Sequence, residues 1–184
     1  MELIDGASAE FERVVRQLPA DSWSRPTPSE FTVRELVEHV VVGNDFTALL
    51  LTGVSREEAR ARLAGDQLGQ DPVAAVAGSA GRQAEAFAAA SPDQLVPYPS
   101  GDVPASLFLR FRLVDLVVHA WDLLRAADLD EALSPGVVSD LWDLVEPYLT
   151  EMLSFGAYGD GPSGTLSARA PLQVRLLDAF GRRP

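Results

Sequence analysis

One stretch, SLFLRFRLVDLVVHAWDLLRA at residues 106–126, restricts the possible folds more than any other part of the chain. Leucine, valine, phenylalanine and tryptophan occur on every side of it. A helix that is apolar all round has to be enclosed by other elements. This segment, a predicted helix from about Pro104 to Ala127, therefore belongs near the centre of a helical assembly. The polar residues Arg112, Asp115, His119 and Asp122 gather on one side of it, beside Phe108. At ~100° per residue, Phe108, Arg112, Asp115, His119 and Asp122 fall within roughly a quarter of the circumference.

The rest of the chain supplies helices to surround it. Leu3, Ile4, Phe11, Val14, Val15 and Leu18 predict an opening helix that stops at Pro19. The segment 24–29 carries two prolines and reads as a loop. Thr32 and Glu35 then form Thr-x-x-Glu, the capping box of a second helix from about Val33 to Leu51 that ends near Gly53. Residues 55–70 are polar and helix-prone, with breaks at Gly65 and Gly69, and the run Arg56 to Arg62 reads as a solvated helix face. Asp71-Pro72 opens a third long helix, Val73 to Ala90, which Ser91-Pro92 stops. Residues 96–101 are a connector. A fifth helix is predicted from Ser134-Pro135 to about Ser154. Residues 156–170, including the glycine-rich stretch 159–164, read as a loop. Pro171 to Phe180 is a short helix followed by a basic tail, Arg182 and Arg183. No segment sustains the period-two alternation of a strand. The expectation is an all-α, four-helix bundle with additional short helices, residues 1–184 forming one domain. Trp23, Trp121 and Trp142 are read as core or interface residues.

Composition narrows the partners. Lys and Arg number 15 and Asp and Glu 27, a net charge of -12. Such a surface repels phosphate backbones and argues against nucleic acid and anionic membrane as partners. There is no cysteine, so thiol nucleophiles, iron–sulfur clusters and Cys-ligated zinc are excluded within this chain. No apolar run approaches the ~20 residues of a membrane span. The N-terminus is acidic from the second residue and lacks the basic start of a signal peptide, so a cytoplasmic location is expected. Gly-x-Gly-x-x-Gly, Gly-x-x-x-x-Gly-Lys and Gly-x-Ser-x-Gly are all missing.

Only two histidines occur, and both fall at informative places. On the second helix His39 lies on one line with Gly43, Phe46 and Leu50, at the edge of the apolar stripe. On the central helix Asp115 and His119 are spaced i, i+4 and can reach one point. Burying carboxylates and an imidazole in an apolar helix is costly unless they are paired or bound to a cation. His39, Asp115 and His119 would form a two-histidine, one-carboxylate site with open positions. That donor set suits zinc, and also nickel, iron or manganese. Asp122 would hold the other ring nitrogen of His119. The plainer reading needs no ion: Arg112 with Asp115, and His119 with Asp122, are local helical pairs in a packed core.

Three blocks resemble the DinB-like, mycothiol-dependent maleylpyruvate isomerase superfamily, in its small actinobacterial metal-binding branch. They are WSRPTPSEFTVRELVEHVV at 23–41, DLVVHAWDL at 115–123 and APLQVRLLDAFGR at 170–182. The resemblance implies a DinB-like four-helix bundle, usually with crossover connectivity, and a metal at one end of it. The implied ligands are His39, Asp115 and His119. Where the isomerase has glutamate, this chain has Asp115, one methylene shorter. Family members often have tryptophan where Phe31 stands and cysteine where Ser29 stands. The isomerase also carries a C-terminal domain that supplies substrate-binding groups, for which 184 residues leave no room.

The function so implied is a divalent-metal-dependent enzyme. The metal activates a low-molecular-weight thiol, mycothiol, for transfer to, or isomerisation of, a small electrophilic substrate. Arg112 is a candidate contact for an anionic group of the thiol or the substrate. No residue is singled out as a catalytic acid or base. Two other readings stand beside it: a non-catalytic metal- or small-molecule-binding bundle, and a structural helical domain whose polar face is a buried ion-pair network or the interface of a homodimer.

Overall fold

A computed structural model describes residues 2–99, 101–156, 158, 161–167 and 169–184. Ser100 in the predicted connector, and Ala157, Gly159, Asp160 and Ala168 in the predicted loop 156–170, lie outside the described residues.

The helices are α1 (Glu2–Gln17), α2 (Val33–Leu51), α3 (Arg56–Arg62), α4 (Pro72–Ala89), α5 (Ala105–Ala126), α6 (Pro135–Val145), α7 (Leu149–Ser154) and α8 (Leu172–Ala179). Local chemistry sets their ends. Thr32 accepts from the Glu35 amide at 3.3 Å while the Glu35 carboxylate accepts from the Thr32 amide at 2.8 Å, so the predicted capping box starts α2. Asp71 accepts from the Ala74 amide at 3.0 Å, and Pro72 occupies the first turn of α4.

Two expectations change. The predicted fifth helix is interrupted: Pro147, which has no amide hydrogen to donate, sits in a 3-10 turn, Glu146–Tyr148, between α6 and α7. The predicted connector is flanked by two short antiparallel strands, β1 (Leu95–Val96) and β2 (Val103–Pro104), with Val96 opposite Val103. Two residues per strand are too few for any alternation to show.

α2 packs on α4 and α5, and α1 packs on α5 and α4, which closes a four-helix ring. Round that ring the order is α1, α5, α2, α4. The successive helices α1 and α2 thus sit on a diagonal, as do α4 and α5. This is a crossover bundle rather than a simple up-and-down one. Of the 22 residues of α5, 16 are buried, as its all-round apolar surface requires. Trp121, Leu116, Leu123 and Leu124 of α5 meet Phe11 of α1 and Leu36 of α2 in one core. The polar side of α5 faces α2, α4 and the C-terminal segment.

Candidate metal centre

The i, i+4 spacing on α5 puts Asp115 and His119 together: His119 Nε2 lies 3.1 Å from Asp115 Oδ1. The capping box that fixes the start of α2 also fixes the rotation of that helix, and brings His39 to the same carboxylate. His39 Nε2 is 3.6 Å from Asp115 Oδ2. The two imidazoles stand perpendicular, their centroids 5.4 Å apart. One ligand atom from each of His39, Asp115 and His119 can be chosen so that all lie within 4.8 Å of one another. Two donors on one ion at bonds of ~2.0–2.2 Å stand at most ~4.4 Å apart, so the three groups need close by only a few tenths of an ångström to share an ion. The three residues predicted to share a site are therefore brought together from two helices.

The surroundings orient each group. The loop before α2 folds Thr27 onto Phe31, amide to carbonyl at 2.9 Å, and Phe31 stacks on the His39 ring at 5.2 Å. Asp122 Oδ2 is 2.9 Å from His119 Nδ1, the contact predicted for it. Arg112 is buried and spends its guanidinium inside the protein. Its Nη1 donates to Asp115 at 2.5 Å, its Nε to Gln83 at 3.0 Å and its Nη2 to Asn44 at 2.9 Å. These partners tie α5 to α4 and α2. The same guanidinium lies where a side chain at Gly43 would go, since a Cβ there would be 2.7 Å from Nη1.

One member of the site lies in the basic tail and at the end of the third family-like block, where the sequence assigns it no role in the site. Arg182 donates from Nε and Nη2 to Asp122 at 2.9 and 2.6 Å. Its position follows from the end of α8. The Gly181 amide bonds to the Asp178 carbonyl at 3.1 Å and the Arg182 amide to the Leu177 carbonyl at 2.9 Å, with Gly181 at φ +80°. This is a Schellman turn, which needs a residue free to adopt left-handed φ. The order Phe180-Gly181-Arg182, a glycine directly after the last apolar residue of a helix, was the available signal.

Electrostatics follow the contacts. Burial pushes the Asp115 carboxyl up, but His119 and Arg112 outweigh it and hold the group well below its usual range. Burial works against the His119 imidazolium, yet the charges and hydrogen bonds of Asp115 and Asp122 prevail and raise its pKa to about 9. Asp122 is likewise opposed by burial and held low by Arg182 and His119. Above the cluster opens a pocket of about 680 Å³, walled by Ser29, Phe31, Tyr98, Phe108, Phe111 and Tyr158. Burial, reinforced by the Asp115 charge, raises both tyrosine pKa values, so the phenols stay protonated.

Residues 4–124 match the family described as the mycothiol maleylpyruvate isomerase N-terminal domain. Two uncharacterized proteins of Mycobacterium tuberculosis, one from strain CDC 1551 / Oshkosh and one from strain ATCC 25618 / H37Rv, are each 35% identical to the chain over 127 residues. Each match covers 68% of this chain and 65% of the relative, so the chain spans just under two thirds of their length. Among solved structures, a crystal structure of mycothiol-dependent maleylpyruvate isomerase in a histidine-to-alanine mutant form superimposes with a TM-score of 0.60 at 18% identity. Another crystal structure of the isomerase does so at 0.56 and 19%. Both cover 83% of this chain and 67% of the neighbour, a likeness of fold. No helix among the described residues is long and apolar enough to cross a membrane.

Proposed function

The chain belongs to the mycothiol maleylpyruvate isomerase N-terminal domain family, and from that membership we propose that it is a metal-dependent enzyme of thiol chemistry. His39, Asp115 and His119 hold a divalent ion. The cosubstrate is a low-molecular-weight thiol, mycothiol, and the reaction is its transfer to, or its use in isomerising, a small electrophile. The observation that carries this reading is the cluster itself: three donors of metal-binding type within 4.8 Å, at the base of a pocket of about 680 Å³. Zinc suits the donors; nickel, iron and manganese take the same kind of site. When bound, such an ion favours the deprotonated thiol at neutral pH.

The residues of this chain do the positioning. Asp122, itself gripped by Arg182, engages Nδ1 of His119 and leaves Nε2 turned toward Asp115 and His39. Arg112 keeps Asp115 ionised, the form a cation needs. Phe31 fixes the plane of the His39 ring and covers one of its faces. Tyr98, Phe108 and Phe111 give the pocket an apolar wall that limits water beside the reacting atoms. The protonated phenols of Tyr98 and Tyr158 are available as donors to a carbonyl or hydroxyl.

The test is mycothiol consumption with a small conjugate acceptor, measured with zinc-loaded and chelator-treated protein and with His119→Ala. Turnover that needs both the metal and His119 supports the reading. Turnover that survives chelation and the substitution overturns it. One equivalent of tightly held metal without any turnover leaves a binding protein in place of an enzyme.

A further inference from the structure

A second groove opens from the same cluster and runs along α2. It encloses about 500 Å³ and shares His39, Tyr98, Phe108 and Arg112 with the first pocket. Its floor is the line of α2 residues that begins at His39 and continues through Gly43, Phe46 and Leu50. From His39 to Leu50 that line is ~16 Å long at ~1.5 Å per residue. The floor is apolar, but the opposite rim is not. There α3 places Arg56 and Arg60, one helical turn apart.

These two arginines are unusual for this chain. The protein carries 12 more acidic than basic side chains, and Arg62, the next arginine on α3, pairs with Glu58. Arg56 and Arg60 form no ion pair among the described residues. Arg56 is half-buried rather than on the solvated face read from the sequence; its Nε is buried without a partner. Its one side-chain hydrogen bond among the described residues is from Nη1 to the Tyr98 carbonyl, at 3.5 Å. A guanidinium desolvated beside an apolar groove is costly unless an anion completes it. One guanidinium fork pairs with the two oxygens of a carboxylate, and a second arginine one turn away adds charge and further donors to the same group.

We propose that Arg56 and Arg60 bind the carboxylate of the electrophilic substrate, whose apolar body lies along α2 over Val42, Phe46 and Leu50 with its reactive end toward His39. The substrate class is then an apolar monocarboxylic acid, and the arginine pair sets that specificity. The assignment rests on the metal-centre reading above only for the direction in which the substrate points.

The experiment is calorimetric titration of the zinc-loaded protein with 3-phenylpropanoate and with its neutral amide. Neither probe has an acceptor double bond, so no reaction intervenes. The wild type should prefer the carboxylate by about tenfold or more, and Arg56→Gln with Arg60→Gln should abolish that preference. Arg60→Gln alone, at an exposed position, should lose part of it and guards against a folding defect in the double variant. Saturating 2-mercaptoethanol, a thiol without a carboxylate, should leave the affinity within about twofold, because thiol and acid occupy different ends of the groove. No carboxylate preference in the wild type, or a preference intact in the double variant, overturns the proposal. Displacement of the acid by the thiol overturns the assignment to the electrophile. Zinc content is measured in parallel. A wild type that binds no zinc sinks the metal reading, while the arginine assignment still stands or falls on the titration.

Discussion

Arg182 and Asp122 are 60 residues apart in sequence and meet side by side, two guanidinium nitrogens at 2.9 and 2.6 Å from the two carboxylate oxygens. Asp122 is fully buried and holds Nδ1 of His119 with one of those oxygens. The C-terminal turn is therefore the outermost support of the site, acting on His119 through Asp122. Arg182→Gln should weaken zinc binding ~10–100-fold, the usual effect of removing such a support. It should also lower stability by ~1–3 kcal/mol, because a buried carboxylate loses its hydrogen-bonded cation. Competition with a zinc indicator and thermal denaturation measure the two effects. Unchanged affinity would remove Arg182 from the site.

Gly43 makes room for Arg112. A Cβ at this position would lie 2.7–3.0 Å from three guanidinium atoms. The guanidinium cannot swing away freely, because Asn44, Gln83 and Asp115 hold it. Gly43→Ala should cost ~1–3 kcal/mol through overpacking, against which the gain in helix propensity returns ~1 kcal/mol. The net loss is up to ~2 kcal/mol, a fall of up to ~8 °C in Tm at ~2–4 °C per kcal/mol for a domain of this size. A Tm above wild type would show that the packing around Arg112 is loose.

The proton on His119 competes with metal. Without metal its pKa is about 9, above the ordinary value of 6.5. Zinc needs the free nitrogen, so apparent zinc affinity should rise about tenfold per pH unit between pH 6.5 and 9, one proton being released. The stability of the metal-free protein should move the opposite way. A group whose pKa is raised on folding stabilises fully below its unfolded value, here 6.5, and that contribution is lost as pH rises through about 9. Titrations at half-unit steps, with and without zinc, check both slopes. A flat zinc affinity over this range contradicts the assignment of His119 as a ligand.

Glu10 ties α1 to the start of α6. It accepts from Arg13 at 2.7 and 3.0 Å and from the Ser134 amide at 3.0 Å. Burial opposes its ionisation, but Arg13 and the Ser134 amide prevail and lower its pKa. Its contribution is present above the ordinary 4.5 and is lost as pH falls through the folded value. Glu10→Gln should destabilise by ~1–2 kcal/mol at pH 7 and by less at pH 3, as urea denaturation at the two pH values would show. Equal losses at both would mean that the charge contributes nothing.

The centre of the fold was legible because periodicity is a property of single helices. The all-round apolar surface of α5 required enclosure, and spacing alone puts the i, i+4 pair Asp115 and His119 on one face. His39 could be placed on its helix from the same pattern, and the structure supplies its distance to Asp115. Arg182 was not legible as a site residue, because its role depends on where α8 docks, a tertiary fact. Arg56 was misread as solvated because α3 is short and mostly charged; what half-buries it is the β1–β2 connector carrying Tyr98. Pro147 was there to be read, since a proline inside a predicted helix ends or bends it.

The most direct measurement is metal content after purification without chelator, followed by anomalous diffraction at the zinc edge. One divalent ion per chain is expected, bonded to nitrogen of His39 and His119 and to oxygen of Asp115 at ~2.0–2.2 Å, and it should be lost in His119→Ala. A wild-type protein that takes up no ion when zinc is supplied, or a His119→Ala variant that retains it, would contradict the account.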